Sequence, residues 1–226
     1  MSRAIVLWDI DQTLVRTGGA GSVAMDMAFQ EIYGVEDAFA RVEFSGRTDY
    51  GIFFDSLDYG GFDKSDFQGQ LERFKAVYLR RLDELLPERN GAVLPGVLRV
   101  IEALALRQTP QGVATGNFKG GAELKLRHFG LDRWLRGGGY GDSSAVRADL
   151  VAEAAASIRA EHGAVDGGVY VIGDTPLDVE AAHANGYVAV AVATGRYSID
   201  ELLACGAHHA FQDLTDVEQV LAIFEP

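Results

Sequence analysis

A short apolar run near the N-terminus, residues 4–8, ends abruptly in two carboxylates, Asp9 and Asp11. Apolar runs of this length are typical of strands that are buried on both faces of a parallel sheet. Aspartates within the body of such a strand would be costly, because unpaired buried charge is strongly unfavourable. At the carboxyl end of the strand, the same side chains lie where open α/β sheets bind ligands. The pattern therefore predicts a buried strand that delivers acids to the ligand-binding edge of a sheet.

Strand-like and helical patterns alternate along the chain from residue 92 onward. The strand-like runs are 4–8, 112–115, 168–172 and 188–192, with weaker ones near Trp134 and at 210–211. The helical patterns are 95–106, 121–129, 148–162 and 176–185, and the last three precede a glycine that favours a left-handed helix end. This alternation predicts an α/β fold with a parallel sheet and right-handed crossovers.

Residues 16–90 lack convincing strands and contain helical patterns that end near Tyr33, Asp58 and Leu86. We predict a core formed by residues 1–15 and 91–226, and an all-helical cap formed by residues 16–90. Because the insertion springs from the predicted active-site edge, a lid that excludes water and selects substrate is the more economical interpretation. A separate domain with no part in the chemistry is the alternative.

Composition narrows the class of partner. The 33 acidic and 20 basic residues give a net charge of −13, which disfavours a nucleic-acid or membrane surface. A small phosphorylated partner remains compatible, because a bound cation and a few basic side chains can reverse the local field. The single Cys205 excludes an internal disulfide, and neither a signal peptide nor a membrane-spanning run is evident. We therefore expect a cytoplasmic protein.

Two further strand ends carry polar side chains. Thr115-Gly116-Asn117 follows one strand, whereas Asp174 ends another and Asp178 comes four residues later. Individually, Asn117 could cap a helix and Asp178 could complement a helix dipole. If the strands are neighbours, the carboxylates converge and repel unless a cation neutralises them. Oxygen ligands favour Mg²⁺, so the pattern predicts a phosphoryl site.

Taken together, the motifs resemble those of the haloacid dehalogenase-like hydrolases. Residues 9–13 (Asp-Ile-Asp-Gln-Thr) resemble the first motif, Thr115-Gly116-Asn117 the second, and Asp174 with Asp178 the fourth. The resemblance implies a Rossmann-like core with strand order 5-4-1-2-3 and a helical cap inserted after the first motif. Within the cap, residues 17–21 and 46–49 resemble the phosphoglycolate phosphatase-like branch.

The resemblance also implies chemical roles. Asp9 would attack phosphorus and form an aspartyl-phosphate, and Asp11 would act as general acid and then general base. Mg²⁺ would be held by Asp9, Asp174 and the backbone carbonyl of Asp11, with Asp178 supporting the site from behind. Thr115 would bind the phosphoryl oxygens.

A basic residue is also implied, and Arg147 is the best match, although lysine is more usual there. Lys119 is the rival. Arg47 could grip a second anionic group of the substrate or could simply pair with Asp49. The predicted substrate-binding residues are Thr13, Gly116, Asn117, Arg47 and Asp49.

The predicted function is that of a Mg²⁺-dependent phosphatase acting on a small phosphorylated metabolite, phosphoglycolate-like or a sugar phosphate. A phosphomutase of the same superfamily is the nearest alternative, and a phospho-accepting signalling protein is a more distant one. Dehalogenating relatives lack an acid at the position of Asp11, so its presence favours phosphate chemistry. We expect a monomer or homodimer.

Two local features carry structural expectations. Gln12 stands where the family commonly has glycine, a difference that bears on the turn but not on the chemistry. The glycine-rich residues 137–141 lack the strand and acidic partner of a dinucleotide-binding loop, so we interpret them as a mobile stretch leading toward Arg147.

Overall fold

A computed structural model describes residues 4–39, 42–163 and 167–224. Residues 1–3, 164–166 and 225–226 of the predicted core, and residues 40–41 of the predicted cap, lie outside the described residues. In chain order the elements are β1 (Ile5–Trp8), β2 (Val15–Arg16), α1 (Ala20–Tyr33), α2 (Asp49–Gly60), α3 (Phe67–Leu85), a 3₁₀ turn (Leu86–Glu88), β3 (Ala92–Val93), α4 (Val97–Leu106), β4 (Gln111–Thr115), α5 (Lys119–His128), β5 (Gly138–Tyr140), α6 (Arg147–His162), β6 (Val169–Gly173), α7 (Pro176–Ala184), β7 (Val188–Val192), α8 (Ile199–Ala204), β8 (His209–Phe211) and α9 (Val217–Ala222).

The main sheet contains six strands in the order β5-β4-β1-β6-β7-β8, and every pairing is parallel. Numbered by their sequence in this sheet, the strands run 6-5-4-1-2-3. The predicted order 5-4-1-2-3 is therefore confirmed, with β8 added at one edge. Strand β1 lies at the centre, where Val6 faces Gln111 on one side and Tyr170 on the other.

The sheet is buried on both faces. Val6 and Trp8 belong to the apolar cluster on one face, whereas Ile5 and Leu7 belong to the cluster on the other. Each such buried aliphatic side chain contributes roughly 1.5–3 kcal/mol to stability. Trp8 packs in this core, where its indole N–H donates to the Gln111 side chain over 3.2 Å. This packing fixes the position of the strand end that carries Asp9.

The prediction of a mobile stretch at residues 137–141 is wrong, as is that of a strand near Trp134. The strand is β5, which pairs with β4 from Gly138 onward. A Cβ atom at Gly138 would lie 1.9 Å from the Val113 carbonyl oxygen, and one at Gly139 would lie 1.8 Å from that of Leu150. These glycines allow a close approach between neighbouring backbones, which a periodicity argument does not detect.

Helices α1–α3, hereafter the inserted helices, pack around a third apolar cluster rich in aromatic side chains. Phe74 stacks on Phe53 with ring centroids 4.4 Å apart, and Phe118, from the turn after β4, closes the cluster at its base. The short strands β2 and β3 pair antiparallel where the chain leaves and rejoins the core. The domain boundaries at 15/16 and 90/91 stay a prediction. Within the described residues, no helix is long and apolar enough to cross a bilayer.

Candidate active site

Three aspartates meet at the carboxyl edge of the sheet. Asp9 follows β1, Asp174 follows β6, and Asp178 lies in the first turn of α7. One carboxylate oxygen from each lies within 4.8 Å of the others, and all three side chains are buried. The central position of β1 beside β6 produces this convergence, because parallel strands end at the same edge.

Arg147 supplies the positive charge in this acid cluster. Its Nη2 lies 2.8 Å from Asp9 Oδ1 and 2.6 Å from Asp178 Oδ1, and its Nη1 donates to the Gly46 carbonyl over 2.9 Å. Lys119 is exposed instead, with its Nζ 5.9 Å from the centre of the Tyr140 ring. The structure therefore brings Arg147 rather than Lys119 next to Asp9.

The cluster carries more negative than positive charge. Burial, followed by the neighbouring Asp178 and Asp9, raises the pKa of Asp174 to about 8 against the opposing effect of Arg147. Burial likewise raises the pKa of Asp9 to about 6, although Arg147 opposes this shift. Burial also opposes the charge on Arg147, yet Asp178 and Asp9 hold its pKa above the ordinary value. A divalent cation would relieve the remaining repulsion.

The space around the acids suits a cation site. A Cβ atom at Gly173 would lie 2.1 Å from Asp178 Cγ, and one at Gly195 would lie 1.9 Å from Asp174 Oδ2. Both carboxylates therefore depend on a neighbouring glycine for room. Asp178 Oδ2 also accepts from the backbone and hydroxyl of Thr175, at 3.1 and 2.6 Å, in a capping box that fixes its orientation. This all-oxygen donor set fits Mg²⁺.

Asp11 lies apart from this cluster, in a second polar group. Its Oδ2 accepts from Asn117 Nδ2 over 2.8 Å and lies 2.5 Å from Lys125 Nζ. Lys125 is a residue that the motif comparison missed. The available signal was helical spacing, because position 125 of α5 follows the buried Gly121 and Ala122 by four and three residues. A lysine on such a buried stripe needs an anionic partner.

The two predicted threonines lie behind the cavity wall rather than on it. Thr115 is fully buried, and its hydroxyl accepts from Asn117 Nδ2 over 2.7 Å. Thr13 is also buried, and its hydroxyl has no hydrogen-bond partner among the described residues. Gly116 and Asn117 do line the cavity.

The first residue of α2 attaches the inserted helices to the sheet. The Asp49 backbone N–H donates to the Gly116 carbonyl over 2.7 Å, and Asp49 Oδ2 accepts from the Phe118 backbone over 2.8 Å. Burial raises the pKa of Asp49 to about 7, while Lys125 and the Phe118 N–H oppose the shift. Arg47 pairs with Asp55 at 2.8 Å, so the alternative pairing of Arg47 with Asp49 is wrong.

A cavity of about 610 Å³ lies between the sheet edge and the inserted helices. Asp9, Asp11 and Asp174 form its floor, while Met25, Phe44, Ile52 and Tyr78 contribute apolar surface, and Arg47 and Arg196 add cations. Acids that can bind a metal therefore open into a cavity large enough for an organic ligand.

The turn after β1 has a left-handed residue. Gln12 has φ 61°, and its carbonyl accepts from the Thr194 hydroxyl, while its N–H donates to the Val15 carbonyl over 2.9 Å. Glycine adopts this conformation without steric cost, which explains why a glycine suits the position. The hydrogen bonds of Gln12 hold the turn in place with a side chain present.

We expect Gly116→Ala to destabilise the protein and reduce its activity. The added Cβ would lie 2.0 Å from the Arg47 carbonyl oxygen, so the inserted helices and β4 could not keep their present separation. Overpacking of this kind costs about 1–3 kcal/mol, which corresponds to a fall in melting temperature of several degrees. Thermal melts of Gly116→Ala and Gly137→Ala provide the comparison, because a Cβ at Gly137 meets only ordinary contacts of 3.5 Å or more. Equal melting temperatures would contradict the close approach.

The Rossmann-like sheet and its buried acid edge together define an α/β enzyme fold with a site for phosphoryl or related chemistry. A model of the haloacid dehalogenase-like hydrolase family matches residues 6–183. The chain belongs to the haloacid dehalogenase-like hydrolases, as its motifs predicted.

One relative and two solved structures are similar to this chain along nearly its whole length. A phosphoglycolate phosphatase of Rhodospirillum rubrum is 27% identical, over 98% of this chain and 92% of the relative. A hydrolase from Pseudomonas syringae is similar in structure, with a TM-score of 0.70 and 22% identity over 100% of both chains. A Thermotoga maritima protein proposed to be a β-phosphoglucomutase has a TM-score of 0.62 and 20% identity over 99% of this chain and 100% of its own. At these identities, the two structures establish the fold alone.

Proposed function

We propose that the protein is a Mg²⁺-dependent phosphatase that hydrolyses a small phosphorylated metabolite through an aspartyl-phosphate intermediate on Asp9. The observation that carries the proposal is the acid cluster itself. Asp9 lies beside a buried arginine, within 4.8 Å of two further carboxylates, and opens into a cavity that Asp11 also lines. The 27% identity to a phosphoglycolate phosphatase supports the same reaction class.

In the first step, Asp9 attacks the phosphorus atom, and the bond to the leaving alkoxide breaks. Arg147 balances charge on the reacting group, since its guanidinium lies 2.8 Å from Asp9 Oδ1. The Gly46 carbonyl and Asp178 hold this guanidinium in place, so little reorganisation is needed during the reaction.

Asp11 completes the proton transfers. As general acid it protonates the leaving alkoxide, and as general base it then takes a proton from the water that attacks phosphorus. Its side chain is 37% exposed and lines the cavity, so both leaving group and water can reach it. Inorganic phosphate leaves with the oxygen of that water, and Asp9 is regenerated.

Asp9, Asp174 and the Asp11 backbone carbonyl would hold Mg²⁺, with Asp178 orienting the cluster through Thr175 and Arg147. When bound, the cation neutralises charge on the phosphoryl group and on the carboxylates around it.

The inserted helices would act as the cap that selects the substrate. A phosphoglycolate-like substrate would fill only a small part of the 610 Å³ cavity, so the volume also supports a larger sugar phosphate. Arg47 lines this cavity and is only 28% exposed, so it can bind a second anionic group by exchanging Asp55 for the ligand. We therefore propose Arg47 and Asp49 as cap contributions to substrate binding, together with Gly116 and Asn117 from the core.

Phosphate release from a panel of phosphorylated metabolites, in Mg²⁺ or in EDTA, tests the proposal. The wild type should release phosphate from at least one compound only with Mg²⁺, and Asp9→Asn should release none. Isomerisation of a sugar phosphate without net phosphate release would instead support the phosphomutase. Absence of both reactions, including with p-nitrophenyl phosphate, would contradict an enzyme of either kind.

We expect Mg²⁺ to stabilise the protein more strongly as pH rises. The pKa of Asp174 is raised to about 8, so its contribution to stability is fully present below about pH 4 and is lost as pH approaches 8. The contribution of Asp9 to stability also falls as pH rises, and this fall ends near pH 6. Bound Mg²⁺ would offset the negative charge that ionisation leaves on these buried carboxylates. Melting temperatures in EDTA and in Mg²⁺ should therefore diverge between pH 6 and 8.5, and less so in Asp174→Asn. A constant difference in the wild type would contradict this account.

We also propose a cytoplasmic protein that acts as a monomer or homodimer on small molecules, without nucleic-acid or membrane partners. The net charge of −13 and an unpaired, exposed Cys205 support this proposal.

A further inference from the structure

Lys125 is a buried cation that the mechanism above does not use. It lies on α5 and is 3% exposed, although it is one of the residues that line the cavity. A buried ammonium is expensive, and an apolar residue would fill the same space at lower cost. The position of the ammonium is therefore best explained by the groups that it contacts.

The contacts of Lys125 form a closed polar triangle. Nζ lies 2.5 Å from Asp11 Oδ2 and 2.5 Å from Asn117 Oδ1, and Asn117 Nδ2 donates to the same Asp11 oxygen over 2.8 Å. Asn117 is held in turn by the Thr115 hydroxyl at 2.7 Å. Among the described residues, no hydrogen bond reaches Asp11 Oδ1. One carboxylate oxygen is thus fixed by two donors, and the other is left for the reaction.

Lys125 is also enclosed from the side of the inserted helices. A Cβ atom at Gly21 of α1 would lie 3.4 Å from Nζ, and Tyr78 of α3 lines the cavity nearby. The Lys125 ammonium also lowers the pKa of the Asp49 carboxyl, so Asp49 adds a favourable negative charge to its surroundings. The ammonium therefore has little room to leave Asp11 for another partner.

We propose that Lys125 is a positioning residue, which holds Asp11 through Oδ2 so that Oδ1 meets the leaving oxygen of the substrate. The inference rests on the proposed phosphatase function and adds a residue outside the family motifs. In this role Lys125 acts through Asp11, and two of its three N–H donors are already used on Asp11 and Asn117.

Leaving-group dependence separates positioning of a general acid from a structural role. An alkyl phosphate needs a proton on its leaving oxygen, whereas p-nitrophenolate leaves readily without one. Loss of a well-placed general acid typically costs about 10²-fold or more. Hydrolysis of the aspartyl-phosphate is common to both substrates, so the rate to compare is the single-turnover rate at which the leaving group is released. We expect Lys125→Met to lower this rate by about 100-fold for an alkyl phosphate, and by less than about 5-fold for p-nitrophenyl phosphate. Inhibition by inorganic phosphate should be unchanged.

Arg127→Met is the matched control, because Arg127 lies on the same helix with its side chain 65% exposed. It should leave both rates within about 2-fold of the wild type, as exposed ion pairs contribute little. In an Asp11→Asn background, Lys125→Met should lower the rate with the alkyl phosphate by less than about a further 3-fold. The two residues act as one unit, so removing the second has little additional effect. Lys125→Arg should recover part of the alkyl phosphate activity, because it retains the cation.

Equal losses with both substrates in a folded Lys125→Met variant would overturn the proposal, as would weakened inhibition by phosphate. If thermal melts show that Lys125→Met is unfolded, Lys125→Gln is measured instead. The proposal then requires that Lys125→Gln lose more activity with the alkyl phosphate than with p-nitrophenyl phosphate. A wild type that hydrolyses neither substrate would refute the phosphatase function itself. A wild type that hydrolyses both, with an unchanged rate ratio in the variant, would refute only the role of Lys125.

Discussion

Asp9→Asn is expected to lower phosphate release by at least about 10⁴-fold, because the amide is not a nucleophile and loss of a covalent nucleophile has effects of this size. The substitution keeps the shape of the side chain and one oxygen near Arg147. It also removes one charge from a cluster in which burial and neighbouring carboxylates raise the pKa of Asp9 to about 6. The folded protein should therefore be as stable as the wild type, or more so, above that pH.

Steady-state phosphate release and thermal melts of the same preparations separate catalysis from folding. Asp132→Asn is the matched control, since Asp132 is an exposed acid in the turn after α5. It should leave both activity and melting temperature unchanged. Substantial phosphate release by a folded Asp9→Asn variant would contradict the role of Asp9, and a lowered melting temperature would contradict the expected stability.

Arg147→Met is expected to damage both activity and stability. It leaves Asp9, Asp174 and Asp178 without their only close cation among the described residues, and it removes the hydrogen bond to the Gly46 carbonyl. Removing one partner of a buried ion pair costs about 3–5 kcal/mol. For a chain of this length, that loss corresponds to a fall in melting temperature of roughly 10 °C. The expected fall in kcat is about 10²–10³-fold, as for other groups that stabilise developing charge.

The stability loss of Arg147→Met should be largest in EDTA at high pH. At lower pH, protons on Asp9 and Asp174 replace the missing positive charge, because both carboxyl pKa values are raised. Arg147→Lys should show smaller losses, since it keeps the charge but not the planar fork that reaches Asp9 and Asp178 together. Arg133→Met provides a surface control, because its ion pair with Glu102 is exposed and 3.9 Å long. Equal melting temperatures for Arg147→Met and Arg133→Met would contradict the proposed counter-charge role.

The sequence predicted the features that depend on local pattern. The apolar runs before Asp9 and before Asp174 predicted two strands, and the structure confirms both strands and pairs them with each other. The family resemblance predicted the order of five strands, whereas the position of β8 beyond β7 follows from pairing across the sheet. Mutual burial of the acids is a consequence of that order.

Features that depend on distant contacts were not predictable in the same way. The contact between Lys125 and Asp11 joins residues 114 positions apart, so no local pattern reports it. Arg47 pairs with Asp55 rather than with Asp49, although both acids lie on helix α2. The Asp49 carboxylate already accepts a hydrogen bond from the distant Phe118 N–H, which no local pattern reports. Strand β5 was missed because its glycines serve close backbone packing instead of side-chain burial.

Trapping the covalent intermediate tests the central claim most directly. The Asp11→Asn variant should form the aspartyl-phosphate from p-nitrophenyl phosphate in Mg²⁺, because this leaving group needs no acid, and should hydrolyse it slowly without the base. After acid quenching, mass spectrometry should find one phosphoryl group on the peptide that contains Asp9, and borohydride should reduce residue 9 to homoserine. Turnover by the wild type with no such label in the variant, or with the label on another residue, would contradict the account.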